Sequence, residues 1–133
     1  DYDVNIKYAR LSELGISKEA ATDFAEITQS TIHGSNMQFI RLNLEDREAL
    51  PKLFKTFNFD MVCNLAAQAG VRYSIENPEA YIDSNVTGFL NILECCRHHN
   101  IKRLVYESSY SVYGDSDLIP FKETASVDTP ISL

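Results

Sequence analysis

The sequence predicts an α/β domain built on a parallel sheet. Three short apolar runs, at residues 37–43, 61–67 and 104–106, are separated by segments in which apolar residues have helical spacing. Strands that alternate with helices are typical of βαβ units, in which consecutive strands lie parallel. The last two runs pass directly into small or polar residues. Ligands bind at the carboxyl ends of the strands in such sheets, so we expect the functional site at that edge.

The N-terminal part of the chain predicts two helices followed by a loop. Apolar residues fall on one stripe over residues 4–14, and Gly15 provides a C-terminal stop. Ser17 is placed to cap a second short helix that runs to residue 24. The polar stretch 28–36 contains a glycine and predicts a loop.

The central part predicts a strand, a helix and a second strand. Residues 37–43 alternate weakly and indicate a strand, which a turn at Asp46 follows. The next helix should begin near Pro51, because proline fits the first turn of a helix but not its interior. The near-continuous apolar run 61–67 predicts a strand buried on both faces, and residues 104–106 predict a third, short, buried strand.

A long helix is predicted between the last two strands. Asn77 and Pro78 provide a cap and a first-turn proline, and the helical pattern ends near Asn100. Its predicted buried face consists of Ile82, Val86, Phe89, Leu93 and Cys96. Asn85 lies on the same face, so we expect it to be buried and to face residues 65–68. Its partner is either a backbone group of that loop or a ligand above the strand ends.

Composition limits the classes of protein and partner. The 133 residues suffice for one domain with a core, and we treat residues 1–133 as a single partial domain. The net charge of −7 argues against nucleic acid and anionic membranes as partners. No apolar run approaches the roughly 20 residues of a membrane helix, and no signal peptide is visible. The three cysteines form neither a disulfide framework nor a metal motif, which predicts reduced thiols, no metal and a cytoplasmic location.

Three strand ends carry the candidate site residues. Ser108, Ser109 and Ser111 follow the last strand, where they form either a simple Ser-rich turn or part of a binding site. The second strand is followed by a series of mostly small residues, Leu65, Ala66, Ala67 and Gln68. Small side chains let a flat or charged ligand approach backbone N–H groups, or they permit close packing against a helix. Asn43 either caps a turn or accepts a hydrogen bond from an adenine amino group.

Three stretches in order resemble a known family. They read FIRLNLEDREAL, VCNLAAQAGVRYSIENPEAYIDSNVTGFLNILE and LVYESSYSVYGD. Together they resemble the extended short-chain dehydrogenase/reductases that bind NAD and modify nucleotide sugars, and they are most similar to the UDP-glucuronate 4-epimerases. The resemblance covers residues 37–133. It implies a partial Rossmann-like, doubly wound parallel sheet that lacks the first two strands and the C-terminal substrate part.

The resemblance also implies roles for the cofactor-side residues. Asn43 and Leu44 would contact adenine, although the family usually has Asp in the first place. Asn85 would lie beside the loop that lines the diphosphate and nicotinamide, and Ser108 would complete the NAD site. That loop consists of Leu65, Ala66, Ala67 and Gln68.

The substrate side follows from the same resemblance. Ser109 would be the catalytic hydroxyl that hydrogen-bonds the 4-oxygen of the sugar in a UDP-sugar substrate. Tyr110 and Ser111 would contact the sugar, and they replace the Asp-Glu pair that sugar dehydratases carry. Arg72 would attract an anionic group of the substrate, or it is a surface residue near Glu76.

The sequence departs from the family in four further respects. Glu107 stands where a small residue is usual, and a carboxylate at a buried strand end is costly. Tyr110 is bulky where a serine is usual, and it would narrow the pocket near the C5 substituent of the sugar. No G-x-x-G-x-x-G and no Y-x-x-x-K motif occurs, and the resemblance would place the second motif's tyrosine just beyond Leu133.

The two missing motifs imply that the chain is the central piece of a larger enzyme and that this piece is inactive alone. The resemblance implies that the full-length enzyme is a homodimer. The alternatives are a non-catalytic nucleotide- or partner-binding module and a related dehydratase or decarboxylase. Without the missing strands, the sheet should close into three parallel strands, take strands from a second copy, or be completed by residues outside the chain.

Overall fold

The computed structural model describes residues 3–115 and 119–129 and contains both helices and strands. The elements are α1 (Val4–Glu13), α2 (Lys18–Thr22), β1 (Ile27–Ser30), β2 (Gly34–Ile40), α3 (Ala49–Thr56), β3 (Val62–Asn64), α4 (Val71–Glu76), α5 (Pro78–Tyr81), a π-helix (Ile82–Gly88), α6 (Phe89–His98), β4 (Leu104–Tyr106) and a 3₁₀ helix (Tyr110–Tyr113).

The two N-terminal helices are confirmed. The carboxylate of Asp3 accepts a hydrogen bond from the backbone N–H of Asn5 and so caps α1. The hydroxyl of Ser17 caps α2 by accepting from the backbone N–H of Ala20 at 3.2 Å. Both caps satisfy N–H groups that have no partner within their helix.

The predicted loop over residues 28–36 is wrong, because most of it belongs to a β-hairpin. β1 pairs antiparallel with β2, with Ile27 opposite Ile40. The side chain of Ser30 is buried, donates to the carbonyl of Leu14 at 2.7 Å and accepts from the backbone N–H of His33 at 2.8 Å. A polar residue is therefore stable inside this strand because its hydrogen bonds are satisfied locally. The predicted strand 37–43 correspondingly starts earlier and ends at residue 40.

The predicted parallel β–α–β unit is confirmed. β3 and β4 run parallel, with Val62 opposite Leu104 and Asn64 opposite Tyr106, and the helices from α4 to α6 connect them. Burial of both strands was predicted wrongly, since Cys63 is exposed and Val105 keeps 55% of its surface exposed. In the described residues β3 pairs with β4 alone. Neither strand therefore lies in the middle of a sheet, where both of its faces would be covered as the apolar run 61–67 suggested.

The core lies between α3 and α6. Its buried residues are Leu50, Phe54, Ile92, Cys95 and Cys96. The predicted buried face of the long helix is wrong at three of its five residues: Ile82 and Val86 are more than half exposed, and Leu93 is 40% exposed. Of the other two, Phe89 is half-buried and Cys96 is buried. The π-helix (Ile82–Gly88) explains the error, since its i→i+5 hydrogen bonds shift the helical phase that a 3.6-residue period assumes.

A groove separates the two sheets, so closure into three parallel strands, one of the three alternatives left open by the sequence, does not occur in the described residues. Within the described chain, β1–β2 and β3–β4 form two separate two-stranded sheets. Leu42, Leu44 and Leu53 on one side and Met61 and Val62 on the other contribute to a space of about 520 Å³. In the described residues, a groove lined mainly by apolar side chains, rather than a ladder of hydrogen bonds, therefore lies between β2 and β3.

Candidate functional site

The loop after β3, residues 65–70 and here called the 65–70 loop, is fixed by a side chain of the π-helix. The carbonyl oxygen of the Asn85 side chain accepts from the backbone N–H of Gln68 at 2.8 Å. The amide nitrogen of Asn85 donates to the carbonyl of Gln68 at 3.0 Å. The predicted contact between Asn85 and this loop is confirmed, but its predicted burial is wrong because the residue is exposed. The backbone N–H of Gln68 is already paired, so it is not free to bind a ligand.

A second anchor of the 65–70 loop, Tyr81, was missed in the sequence. Its hydroxyl donates to the carbonyl of Ala69 at 3.0 Å and also lies within hydrogen-bond distance of the carbonyl of Gly70. Gly70 has φ +109 and ends the loop at the start of α4. The signal that could have revealed Tyr81 is its position four residues before Asn85, which places both side chains on one helical face.

The remaining loop residues present small or apolar surface. Leu65 has 67% of its surface exposed, Ala66 and Ala67 are also exposed, and Gln68 is half-buried. The structure therefore leaves three successive small or apolar side chains open at the end of β3. Such a surface admits close approach by a ligand without the displacement of large side chains.

The loop after β2, residues 41–48 and here called the 41–48 loop, is fixed by the start of α6. The amide nitrogen of Asn91 donates to the carbonyl of Leu44 at 2.9 Å. Gly88 brings the helix so close that a Cβ there would lie 2.7 Å from the Cβ of Leu44. Asn43 is exposed, and its carbonyl accepts from the backbone N–H of Asp46 at 3.2 Å. The same helical segment thus sets the positions of both loops that the sequence assigned to the cofactor.

Asp46 stabilises the turn that leads from the 41–48 loop into α3. Its carboxylate accepts from the backbone N–H groups of Glu48 and Ala49 at 2.9 Å and 2.8 Å. These two hydrogen bonds, with that from Ala49 the stronger influence, lower the pKa of the Asp46 carboxyl. The turn is therefore best stabilised when the carboxyl is ionised.

The segment after β4, residues 107–114 and here called the 107–114 segment, carries the predicted catalytic serine. Ser109 is exposed, donates from its hydroxyl to the hydroxyl of Ser111 at 3.0 Å, and accepts from the backbone N–H of Ser111 at 3.2 Å. It thereby caps the 3₁₀ helix, in which Tyr110 has 77% of its surface exposed. Ser108 is also exposed.

The expected burial of Glu107 is wrong. Its side chain is exposed, while its backbone N–H donates to the carbonyl of Asn64 at 3.0 Å and extends the β3–β4 ladder by one hydrogen bond. The predicted desolvation cost of this carboxylate therefore does not arise.

The parallel pairing brings the small-residue loop and the serines to one edge. The 65–70 loop begins after Asn64 and the 107–114 segment after Tyr106, and these two residues are neighbours in the ladder. Arg72 lies on α4, directly after the 65–70 loop, and is exposed. No ion pair of Arg72, with Glu76 or another residue, occurs in the part of the chain that the structure describes.

The cysteines and the other ionisable groups form no further centre among residues 3–115 and 119–129. Cys63 is an exposed free thiol, whereas burial raises the pKa of the Cys95 and Cys96 thiols and favours their protonated form. No cluster of three potential metal ligands is found in these ranges. Over the same ranges, every helix is too short or too polar to cross a membrane.

A parallel β–α–β unit whose strands end in a small-residue loop and a serine-rich turn defines a Rossmann-like α/β fold. The chain belongs to the GDP-mannose 4,6 dehydratase family, whose model matches residues 9–132. It is thus a member of the nucleotide-sugar epimerase and dehydratase group that its sequence resembles.

Individual relatives support this assignment. Protein CapI of Staphylococcus aureus is 46% identical over 132 residues, which cover 99% of this chain and 34% of that protein. A UDP-glucuronate 4-epimerase of Thermodesulfobacterium geofontis is 40% identical over 131 residues, or 98% of this chain and 35% of that protein. The chain thus spans about a third of the length of these relatives.

A solved structure gives the same fold. The UDP-glucose-4-epimerase from Stenotrophomonas maltophila, with bound NAD and formylated UDP-arabinopyranose, superimposes with a TM-score of 0.59 at 32% identity. The match covers 65% of this chain and 27% of that one. Most of the described chain therefore adopts an arrangement found within a larger epimerase.

Proposed function

We propose that this chain is the central part of the NAD-binding domain of a nucleotide-sugar 4-epimerase. The observation that carries the proposal is that one helical segment fixes two strand-end loops. Asn85 bonds the backbone of Gln68, and Asn91 bonds the carbonyl of Leu44. Both loops therefore have defined positions before any ligand binds, which reduces the ordering cost of binding.

The exposed surface of these loops fits the cofactor. Leu65, Ala66 and Ala67 offer small or apolar contacts to the diphosphate and nicotinamide half of NAD, and Ser108 offers a hydroxyl beside them. Asn43 and Leu44 would hold the adenine half, with the side-chain oxygen of Asn43 free to accept from the adenine amino group. The related epimerase with bound NAD supports this assignment.

NAD would supply the acceptor for the hydride that leaves C4 of the sugar. In that step the C4–H bond breaks, and the proton of the 4-hydroxyl passes to a tyrosine base expected outside this chain. The hydroxyl of Ser109 would hydrogen-bond the 4-oxygen and stabilise the charge that develops there. The same cofactor would return the hydride to the other face of the sugar, which is the chemistry that inverts C4.

The proposed substrates are UDP-glucuronate and UDP-galacturonate. The 40% identity to a UDP-glucuronate 4-epimerase supports this choice. Arg72 is an exposed cation without an ion pair in the described chain, next to the 65–70 loop, and would attract the uronate or a phosphate. Tyr110 and Ser111 would contact the sugar, with Tyr110 narrowing the pocket near C5.

A comparison of four substrates tests the assignment. The gene product that carries this sequence should interconvert UDP-glucuronate and UDP-galacturonate in preference to UDP-glucose and UDP-galactose. A clear preference for the neutral sugars would refute the uronate assignment but leave an epimerase. Formation of a 4-keto-6-deoxy sugar would instead favour a dehydratase, for which the sequence has Tyr110 and Ser111 in place of the acid pair.

The 133-residue chain alone should show no turnover and at most weak NAD binding. It has no glycine-rich phosphate loop and no Y-x-x-x-K motif. Calorimetric titration with NAD, together with UDP-sugar assays on protein of verified mass, tests this. Tight NAD binding, or activity that survives repurification, would contradict it. The proposed enzyme is a cytoplasmic homodimer. Size-exclusion chromatography with light scattering would check its oligomeric state.

A further inference from the structure

Tyr81 stands out because its polar atom faces the backbone of a strand-end loop. The hydroxyl donates to the carbonyl of Ala69 at 3.0 Å and lies within hydrogen-bond distance of the carbonyl of Gly70. The residue is half-buried, and its ring packs against Tyr73 with centroids 6.1 Å apart. The ring contact and the hydroxyl contact can therefore be separated experimentally, because phenylalanine keeps one and removes the other.

Tyr81 and Asn85 act on adjacent parts of the same loop. Tyr81 ends α5, and Asn85 lies within the π-helix that follows it directly. Residues four apart lie on the same face of a helix, so Tyr81 and Asn85 both reach the loop from one side. Three successive carbonyls, those of Gln68, Ala69 and Gly70, consequently face the side chains of one helical segment.

We propose that Tyr81 is a positioning residue for the cofactor: its hydroxyl holds the carbonyls of Ala69 and Gly70 toward the helix and away from the ligand side of the 65–70 loop. The inference rests on the proposed function, in which this loop lines the diphosphate of NAD. A carbonyl oxygen carries partial negative charge, so one that faced a diphosphate would repel it. Asn85 occupies the carbonyl of Gln68 and Tyr81 that of Ala69, while the carbonyl of Gly70 is shared between Tyr81 and the backbone N–H of Ser74 at 3.2 Å. These hydrogen bonds weaken the repulsion, and the contribution specific to Tyr81 is largest at Ala69.

The test variant is Tyr81→Phe, made in the gene product that carries this sequence. Tyr73→Phe is the matched control: it removes a hydroxyl from the neighbouring ring, where that hydroxyl accepts from the Asn77 amide at 3.1 Å and does not touch the loop. The Kd for NAD should rise about fivefold to tenfold in Tyr81→Phe, the scale of one lost hydrogen bond, and should stay within twofold in the control. The kcat at saturating NAD should be unchanged, because the effect is on cofactor binding.

A second measurement, on protein without ligand, reports the loop directly. Amide hydrogen exchange across residues 65–71 should be faster in Tyr81→Phe, whereas the melting temperature should match that of Tyr73→Phe. A merely structural role would lower the melting temperature and the kcat together, and would overturn the inference.

The outcomes separate the inference from the proposed function. If the unaltered protein binds no NAD, the proposed function fails and the inference fails with it. If the unaltered protein binds NAD, and Tyr81→Phe binds it equally well with unchanged exchange in the loop, only the positioning role of Tyr81 is refuted.

Discussion

The two loops at the carboxyl edge of the parallel strands differ in what holds them. The 65–70 loop after β3 is anchored by side chains of the crossover helix, which reach Gln68, Ala69 and Gly70. The 107–114 segment after β4 is stabilised at Ser109 by bonds to Ser111, two residues away. The first loop has its shape imposed by another element, while Ser109, the proposed catalytic serine, has its position set by local hydrogen bonds.

This difference matches the division of labour in the proposed function. A loop that binds a cofactor benefits from a fixed backbone, because little entropy is then lost on binding. A catalytic hydroxyl must exchange its local partner for the substrate. Ser109 is exposed, and in the described residues its hydroxyl is hydrogen-bonded to Ser111 alone. The anchored loop should therefore govern cofactor affinity, and the serine segment should govern the rate of the chemical step.

The largest expected effect is that of Ser109→Ala on turnover. Loss of one positioned donor to the sugar 4-oxygen should lower the kcat of the gene product by roughly 100-fold or more, with a smaller change in substrate binding. Ser35→Ala, in the exposed part of β2, is the matched control and should leave both constants unchanged. An unaltered kcat in Ser109→Ala would remove this serine from the mechanism.

The anchored loop should respond in affinity instead. Asn85→Ala removes both hydrogen bonds to Gln68 and should raise the Kd for NAD by about 10- to 30-fold, at roughly 1 kcal/mol for each bond. Asn36→Ala, on the exposed hairpin, is the control.

Asn85→Asp sharpens this test through pH. An ionised carboxylate keeps an acceptor for the N–H of Gln68 but cannot donate to its carbonyl. NAD affinity in this variant should therefore improve as the pH falls and the new carboxyl gains a proton. If the Kd for NAD is equal in the unaltered protein, Asn85→Ala and Asn85→Asp, the hydrogen bonds between Asn85 and Gln68 are irrelevant to binding.

Contact between the helix and the 41–48 loop can be tested through stability. Gly88→Ala would normally stabilise a helix by up to about 1 kcal/mol, but here the new Cβ would meet Leu44. We expect a net loss of about 1–3 kcal/mol in the free energy of unfolding, measured by urea denaturation.

The double variant Leu44→Gly/Gly88→Ala supplies the control for this contact. Gly88→Ala should cost less when the Cβ of Leu44 is absent, because that atom is the one it would meet. Stabilisation by Gly88→Ala in the unaltered background would contradict the close packing.

The smallest effect is expected at Asp46. Its lowered pKa means that its contribution to stability is present above the pKa of the unfolded state and is lost as the pH falls through that of the folded state. Asp46→Ala should therefore unfold more easily near neutral pH, and the difference from the unaltered protein should shrink in acid. Asp46→Asn keeps an acceptor oxygen, so its free energy of unfolding should lie between those of Asp46→Ala and the unaltered protein. A difference between Asp46→Ala and the unaltered protein that does not depend on pH would contradict a stabilising role for the ionised carboxyl.

Local sequence signals predicted the elements but not how deeply they are buried. Ser17 and the Asn77-Pro78 pair marked helix starts correctly, because caps depend on residues close in the chain. The strand Ile27–Ser30 was missed because its polar residues pair through their backbone with a partner several residues away. The exposure of β3 could not be predicted, since it depends on how many strands lie beside it rather than on its own composition.

The candidate site was predicted in the same uneven way. Asn85 was found because a polar residue interrupts an apolar helical pattern, and its contact with the 65–70 loop was correct. Its exposure was not predicted, because the π-helix changes the phase of the face. Tyr81 has only a weaker signal, its position four residues before Asn85. Asn91 has none, since an asparagine on a helix is unremarkable until the loop that it touches is located.

The most direct test of the account is hydrogen–deuterium exchange of the gene product with NAD and with a UDP-uronate in turn. We predict that NAD protects the amides of the 65–70 loop, of residues 43–44 and of Ser108, and that the UDP-uronate protects residues 109–111. Protection of residues 109–111 by NAD, with no change in the 65–70 loop, would contradict the division between an anchored cofactor loop and a serine segment that acts on the sugar.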